Sequence, residues 1–149
     1  AHDNLALWDK LLLAMPAAGE GEKLAALRLA HGIVLTAQGV PFLHGGTEFA
    51  RTKGGNHNSY NAGDEVNGFR WDERDEHEET VRYVAGLVAL RRAHPAFRMR
   101  TAAEVRENLA FVEDVPEGVV AYTIDGGPRM TFVAYNGSRA ARRVALPAG

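Results

Sequence analysis

The chain has 149 residues, with 17 Lys and Arg against 19 Asp and Glu and a formal net charge of -2. That balance, without any run of basic residues, argues against nucleic acid as a partner. Cysteine is absent, which excludes disulfides, thiolate metal sites and a cysteine nucleophile, and no stretch of about eighteen apolar residues is present to span a membrane.

The length suffices for one domain with a core of its own. The order of elements nevertheless reads as the tail of an α/β domain followed by part of an all-β one. Ala1-His2-Asp3-Asn4 comes first, and the start without methionine reads as a cut. Adjacent His and Asp at a chain start form a solvated polar tip. If a strand precedes them, they stand instead at its C-terminal end, where α/β barrels keep their chemistry. Residues 5–15 carry Leu7, Trp8, Leu11 and Leu12 on one face and predict a short helix that stops before Pro16, with Trp8 in the core. Residues 20–38 predict a long helix, with Glu20 and Glu22 in its positive first turn and Leu24, Leu27, His31 and Val34 recurring at three and four. Gly39 stands where a left-handed cap belongs, and His31 reads as a packing histidine.

The apolar run 40–43 predicts a short buried strand, which makes helix and strand an αβ unit of a parallel sheet. From 41 to 71 the sequence is PFLHGGTEFARTKGGNHNSYNAGDEVNGFRW. These about thirty residues lack a helix or strand period, and loops that long in a compact domain are functional or disordered. Phe49, Tyr60, Phe69 and Trp71 argue against disorder, whose composition is poor in aromatics. The polar content is narrow: the amides Asn56, Asn58, Asn61 and Asn67, the carboxylates Asp64 and Glu65, and the cations Arg51 and Lys53. Amides and carboxylates beside flat aromatic faces suit a neutral polyhydroxyl ligand, a sugar. The same Asn and Gly residues also serve to make turns. Neither a phosphate-loop order, a His-Glu-x2-His pair nor an EF-hand series occurs, so no nucleotide or metal site has a motif behind it.

The acidic run 72–79 suits the first turn of a helix over 75–93, with Val81, Val84 and Val88 on one face and His94-Pro95 as its stop. From Thr101 the period changes. Residues 109–113, 118–125, 129–136 and 141–146 predict four hairpin-connected antiparallel strands. The end at Gly149, with no second sheet to cover them, also reads as a cut.

His2-Asp3-Asn4, Leu7-Trp8-Asp9-Lys10, GVPFLHGGTEF, RTKGGNHNSYNAGD, Asn67 and LRRAHPAF occur in that order. Together they resemble the C-terminal third of the type I pullulanases, debranching enzymes of the α-amylase superfamily, over nearly the whole chain and most weakly in the final strands. The RTKGGNHNSYNAGD string is similar to one specific to the pullulanase and isoamylase group, and Leu7-Trp8-Asp9-Lys10 favours the pullulanases within it.

The resemblance implies a (β/α)8 barrel followed by an antiparallel β-sandwich. Residues 1–100 would run from the end of the seventh barrel strand to the eighth helix, and residues 101–149 would begin the sandwich. It implies hydrolysis of α-1,6-glucosidic bonds with retention, through a carboxylate nucleophile and a carboxylic acid about 5 Å apart. Both are expected upstream of Ala1. Asp3 resembles the superfamily's third carboxylate, a transition-state stabiliser on the 2- and 3-hydroxyls of the cleaved glucose, and His2 its neighbouring hydroxyl ligand. Arg51, Asn58, Tyr60, Asp64 and Asn67 are the implied substrate contacts, Asp64 and Asn67 foremost, with Lys53 and His57 simply exposed. The implied partners are an α-glucan (pullulan, amylopectin or limit dextrins) and the preceding part of the same chain. Calcium is common in the superfamily, but no motif in these residues supplies a site. Export to the cell surface or medium is expected of the parent protein, and the isolated 149 residues are expected to be inactive and poorly soluble. Three alternatives stay open: an isoamylase or glycogen-debranching type of hydrolase, a glucan-binding module without a catalytic pair, and a structural domain whose loop is an interface.

Overall fold

The computed structural model describes residues 4–126 and 129–146; His2 and Asp3 lie outside them. Helices come first: α1 (Leu7–Ala14), α2 (Glu20–Thr36), α3 (Asp64–Asn67), α4 (Glu73–Glu76), α5 (Glu78–Ala93) and α6 (Ala102–Asn108). Strands β1 (Leu109–Phe111), β2 (Val119–Ile124) and β3 (Thr131–Asn136) follow as an antiparallel sheet of order β1-β2-β3. The described part is therefore a mixed α/β arrangement. It divides into two compact units, Ala1–Gly32 with Phe42–Leu87 and Ile33–Pro41 with Val88–Gly149.

In the first unit, α1 ends before Pro16, as its sequence requires. Helix α2 begins on Glu20 and Glu22 and buries Leu27 and His31. His31 packs as expected: Nδ1 lies 2.8 Å from Leu27 O, and Nε2 lies 3.1 Å from the Thr47 hydroxyl. Because Leu27 O can only accept, Nδ1 carries a proton. Trp8 is half-buried with its ring centroid 6.5 Å from that of His77. At His77 the chain breaks the helix predicted over 75–93 into α4 and α5.

Residues 40–43 correct the sequence expectation. They form no strand among the described residues, and Val40 is 96% exposed. A strand exists only through a hydrogen-bonded neighbour, and among the described residues none pairs with this run.

The second unit has its core at Ala96, Phe97, Tyr122 and Ile124, with Met99, Leu109, Val133 and Tyr135 packed against them. Burying side chains such as Phe97 and Ile124 contributes about 1.5–3 kcal/mol each. Tyr122 keeps its polar end satisfied by donating to Thr36 O at 3.0 Å. Helix α5 stops at Ala93, where His94-Pro95 turns the chain into a 3-10 turn, Pro95–Arg98.

Two arginines close helix ends. Arg91, 6% exposed, donates from Nη1 to Leu35 O at 2.9 Å and to Ala37 O at 2.7 Å, and from Nη2 to Gly39 O at 2.6 Å. These carbonyls lie at or just past the C-terminus of α2, where helix carbonyls lack backbone partners and the dipole favours a cation. Arg98 does the same at the end of α5, reaching Arg91 O at 3.1 Å and Arg92 O at 3.2 Å.

Helix α6 was not expected from the strand-like period after Thr101. The signal was present as Thr101-x-x-Glu104, a capping box. The Glu104 N–H donates to Thr101 Oγ1 at 3.1 Å, and the Thr101 N–H donates to Glu104 Oε2 at 2.8 Å. The backbone N–H groups of Thr101 and then Arg100 hold the Glu104 carboxyl below its ordinary range.

The fourth strand is a second correction. Residues 141–146 form no ladder: Arg142 and Arg143 interrupt the apolar alternation, and Leu146 is exposed. After β3 an Asx turn takes the chain instead, with the Ser138 N–H on Asn136 Oδ1 at 3.0 Å and Asn136 Nδ2 on Ala140 O at 2.8 Å.

Candidate functional site

Residues 42–71 lie within the first unit and are ordered by a network of hydrogen bonds. Gly46, at φ +89, and Ala50, at φ +58, flank a 3-10 turn, Thr47–Phe49. A Cβ on Gly46 would come within 2.6 Å of Arg51 Cδ. Gly46→Ala therefore combines left-handed backbone strain with a collision, and we expect it to destabilise the protein by about 2 kcal/mol. A chemical denaturation midpoint equal to wild type would contradict that.

Behind the turn, Phe49, Phe69 and Trp71 gather. Phe69 and Trp71 stack at 5.3 Å and 18°, and the Arg51 guanidinium sits 4.3 Å over the Phe69 ring. Such a cation over a ring face is worth about 0.5–2 kcal/mol. Arg51 is buried, donating from Nη1 to Gly45 O at 3.2 Å and from Nη2 to Asn67 O.

The outward part of the loop is turned by residues of the types expected. The Asn58 N–H bonds to Asn56 Oδ1 at 2.9 Å, and Gly63 at φ +74 leads into α3. Among the sequence-predicted contacts, Asn58, Tyr60 and Asp64 are exposed, Asn67 is half-buried, and Arg51 is buried. Asn67 gives its side-chain N–H to Ser59 O at 2.6 Å. The loop thus brings Asn58, Tyr60 and Asp64 onto an exposed stretch, while Arg51 and Asn67 direct these donors to backbone carbonyls.

His57 is exposed as expected, but Lys53 is half-buried, with its ammonium on Ser59 Oγ at 2.6 Å. Asp9, which spacing did not single out as a site residue, joins this loop from α1: Oδ2 accepts the Lys53 N–H at 2.9 Å and Oδ1 the Thr52 hydroxyl. The sequence signal for it was an acid set among the apolar residues Leu7, Trp8, Leu11 and Leu12 of α1. His2 and Asp3 lie outside the described residues, but Asn4, directly after them, donates its N–H to His57 O at 2.5 Å.

Burial first, then the nearby charges of Arg51 and Lys53, lower the pKa of His44 from its ordinary 6.5. The unfolded chain then binds the proton more readily than the folded one, so this group's contribution to stability is present above 6.5 and is lost as pH falls below it. We expect His44→Gln to reduce the drop in denaturation midpoint between about pH 7.5 and about pH 5.5, and an undiminished drop would contradict it. No group of three or more His, Cys, Asp or Glu side chains arranged to hold a metal occurs among the described residues, and no helix there is long and apolar enough to cross a membrane.

No protein-family model matches the chain. The pullulanase of Bacillus subtilis strain 168 is 44% identical over 124 residues, which is 83% of this chain and 17% of that protein. The pullulanase from Bacillus acidopullulyticus superposes with a TM-score of 0.94 at 42% identity, over 99% of this chain and 19% of its own. The Paenibacillus barengoltzii pullulanase, solved in complex with maltohexaose and α-cyclodextrin, superposes with a TM-score of 0.93 at 49% identity, over 99% of this chain and 23% of its own. The chain thus spans about a fifth of the length of the relatives it matches. Over that stretch, in sequence and in fold alike, this chain is homologous to part of the pullulanases.

Proposed function

We propose that this chain is part of a debranching glycoside hydrolase that cleaves α-1,6-glucosidic bonds in pullulan, amylopectin or limit dextrins with retention of configuration. Homology to pullulanases over nearly all of its residues is the observation that carries this reading. In the proposal, residues 1–100 complete a (β/α)8 barrel and residues 101–149 open a β-sandwich. The nucleophile and general acid, about 5 Å apart, come from another part of the full-length protein.

Asp3 then stabilises the transition state through the sugar's 2- and 3-hydroxyls, with His2 beside it. Asn58, Tyr60 and Asp64 supply an exposed amide, a ring and a carboxylate for neighbouring glucose units, and Arg51 and Asn67 shape the same surface from behind. A carboxylate can accept from two vicinal hydroxyls, and an aromatic face suits the apolar side of a pyranose. The ligand of the Paenibacillus relative belongs to the class proposed here.

The test is product analysis with the full-length protein on pullulan. Maltotriose is the expected product, since pullulan joins maltotriose units through α-1,6 bonds. Panose would mean that the α-1,4 bonds are cut. Cleavage of amylopectin without pullulan would point to an isoamylase type, and glucan binding without any cleavage would point to a binding module.

A further inference from the structure

A buried carboxylate is retained only where its charge is matched by donors, and Asp9, 2% exposed on α1, has both oxygens taken up by the loop. Oδ2 accepts the Lys53 N–H at 2.9 Å, and Oδ1 accepts the Thr52 hydroxyl. Thr52 Oγ1 in turn accepts the Gly54 N–H at 2.9 Å. One carboxylate on a helix thereby fixes three consecutive residues of an otherwise irregular segment.

The bonds continue from there. The Lys53 ammonium reaches Ser59 Oγ at 2.6 Å, Ser59 O accepts from Asn67 Nδ2 at 2.6 Å, and Asn67 O accepts from Arg51 Nη2. Ser59 is 1% exposed, so the middle of this chain is shielded from water, where hydrogen bonds are strongest and broken ones most costly. Asn58, Tyr60 and Asp64 are carried on the backbone that these bonds hold, between Lys53 and Asn67.

We propose that Asp9 is a positioning residue for glucan binding, holding the 51–67 loop in the conformation that presents Asn58, Tyr60 and Asp64 to the sugar. This rests on the glucan-hydrolase reading above. Being buried, Asp9 acts through Thr52 and Lys53 and never touches the ligand. Helix α1 supplies the rigid base that a twelve-residue excursion between Arg51 and Asp64 lacks of itself, about the length at which loops need such an anchor.

The experiment uses the full-length protein with Asp9→Ala, Asp9→Asn and Thr52→Val. Well below the melting temperature, Asp9→Ala is expected to raise KM for pullulan about tenfold while kcat stays within about twofold, because misplaced contacts weaken binding in ground and transition states alike. Asp9→Asn is expected to recover most of that loss, since its amide oxygen still accepts the Lys53 N–H. Amide exchange at Lys53 and Gly54 is expected to speed up in Asp9→Ala while that of α2 stays unchanged. A lowered melting temperature with KM unaltered would make Asp9 structural only and overturn the proposal. If Asp9→Ala does not fold, Thr52→Val, which removes the hydroxyl between Asp9 and Gly54, gives the same decision. If the wild-type protein cleaves no pullulan, the hydrolase reading falls by itself, and maltotriose binding together with amide exchange decides the positioning role. Weaker binding with faster exchange upholds it, and unchanged values of either overturn it.

Discussion

Asp3→Asn in the full-length protein is expected to lower turnover of pullulan by about 10³-fold or more with the fold intact. The magnitude follows from where the charge forms. As the glycosidic bond breaks, the sugar ring flattens and its anomeric carbon becomes positive, and hydrogen bonds to the 2- and 3-hydroxyls strengthen as that happens. An interaction made mainly in the transition state lowers kcat when it is removed, whereas one made equally in the bound substrate only raises KM. Asparagine keeps the shape of the side chain but removes its charge and one acceptor, so the variant separates electrostatics from packing. Unchanged turnover, with circular dichroism matching wild type, would remove Asp3 from the chemistry.

Arg91→Ala is expected to cost about 2–3 kcal/mol of stability. The guanidinium satisfies Leu35 O, Ala37 O and Gly39 O at once; the Leu35 carbonyl, left buried without a donor, costs about 1–3 kcal/mol, while those of the exposed residues Ala37 and Gly39 turn to water at a smaller loss. Arg91→Lys is expected to recover only part of this, because an ammonium cannot reproduce the planar fork that reaches carbonyls on several residues. Urea unfolding of the three proteins measures the difference, and equal midpoints for Arg91→Ala and wild type would contradict the capping role.

Sequence made the helices legible where local chemistry decides them. The acidic first turn and Gly39 bracket α2 to within two residues of its predicted end, and His94-Pro95 stops α5 where expected. Residues 40–43 and 141–146, expected as strands, form no ladder among the described residues, for a shared reason. Apolar or alternating composition predicts a surface suited to a sheet, but a strand also needs a partner ladder, and composition carries no information about which backbone lies alongside. Helix α6 shows the converse: its capping box, Thr101 with Glu104, is a local signal that holds although the stretch after it is β-rich.

The same limit applies to the loop. Its residue types point to a sugar, and the exposed positions of Asn58, Tyr60 and Asp64 agree with that use. The donations of Arg51 to Gly45 O and Asn67 O, and of the Thr52 hydroxyl and the Lys53 N–H to the Asp9 carboxylate, are bonds that spacing along the chain does not encode. Asn67 in particular looks like a ligand contact by type, while its side-chain N–H closes the loop on Ser59.

That the 51–67 loop is a glucan-binding surface is tested most directly by calorimetric titration of maltotriose into full-length wild type and Asp64→Ala. Asp64 is exposed on a four-residue helix, α3, and contributes no buried packing, so its removal is expected to leave the fold unchanged. Binding about tenfold weaker is expected in the variant, the loss of one charge-assisted hydrogen-bonding group worth about 1.5 kcal/mol. Equal affinity in the two proteins would contradict it.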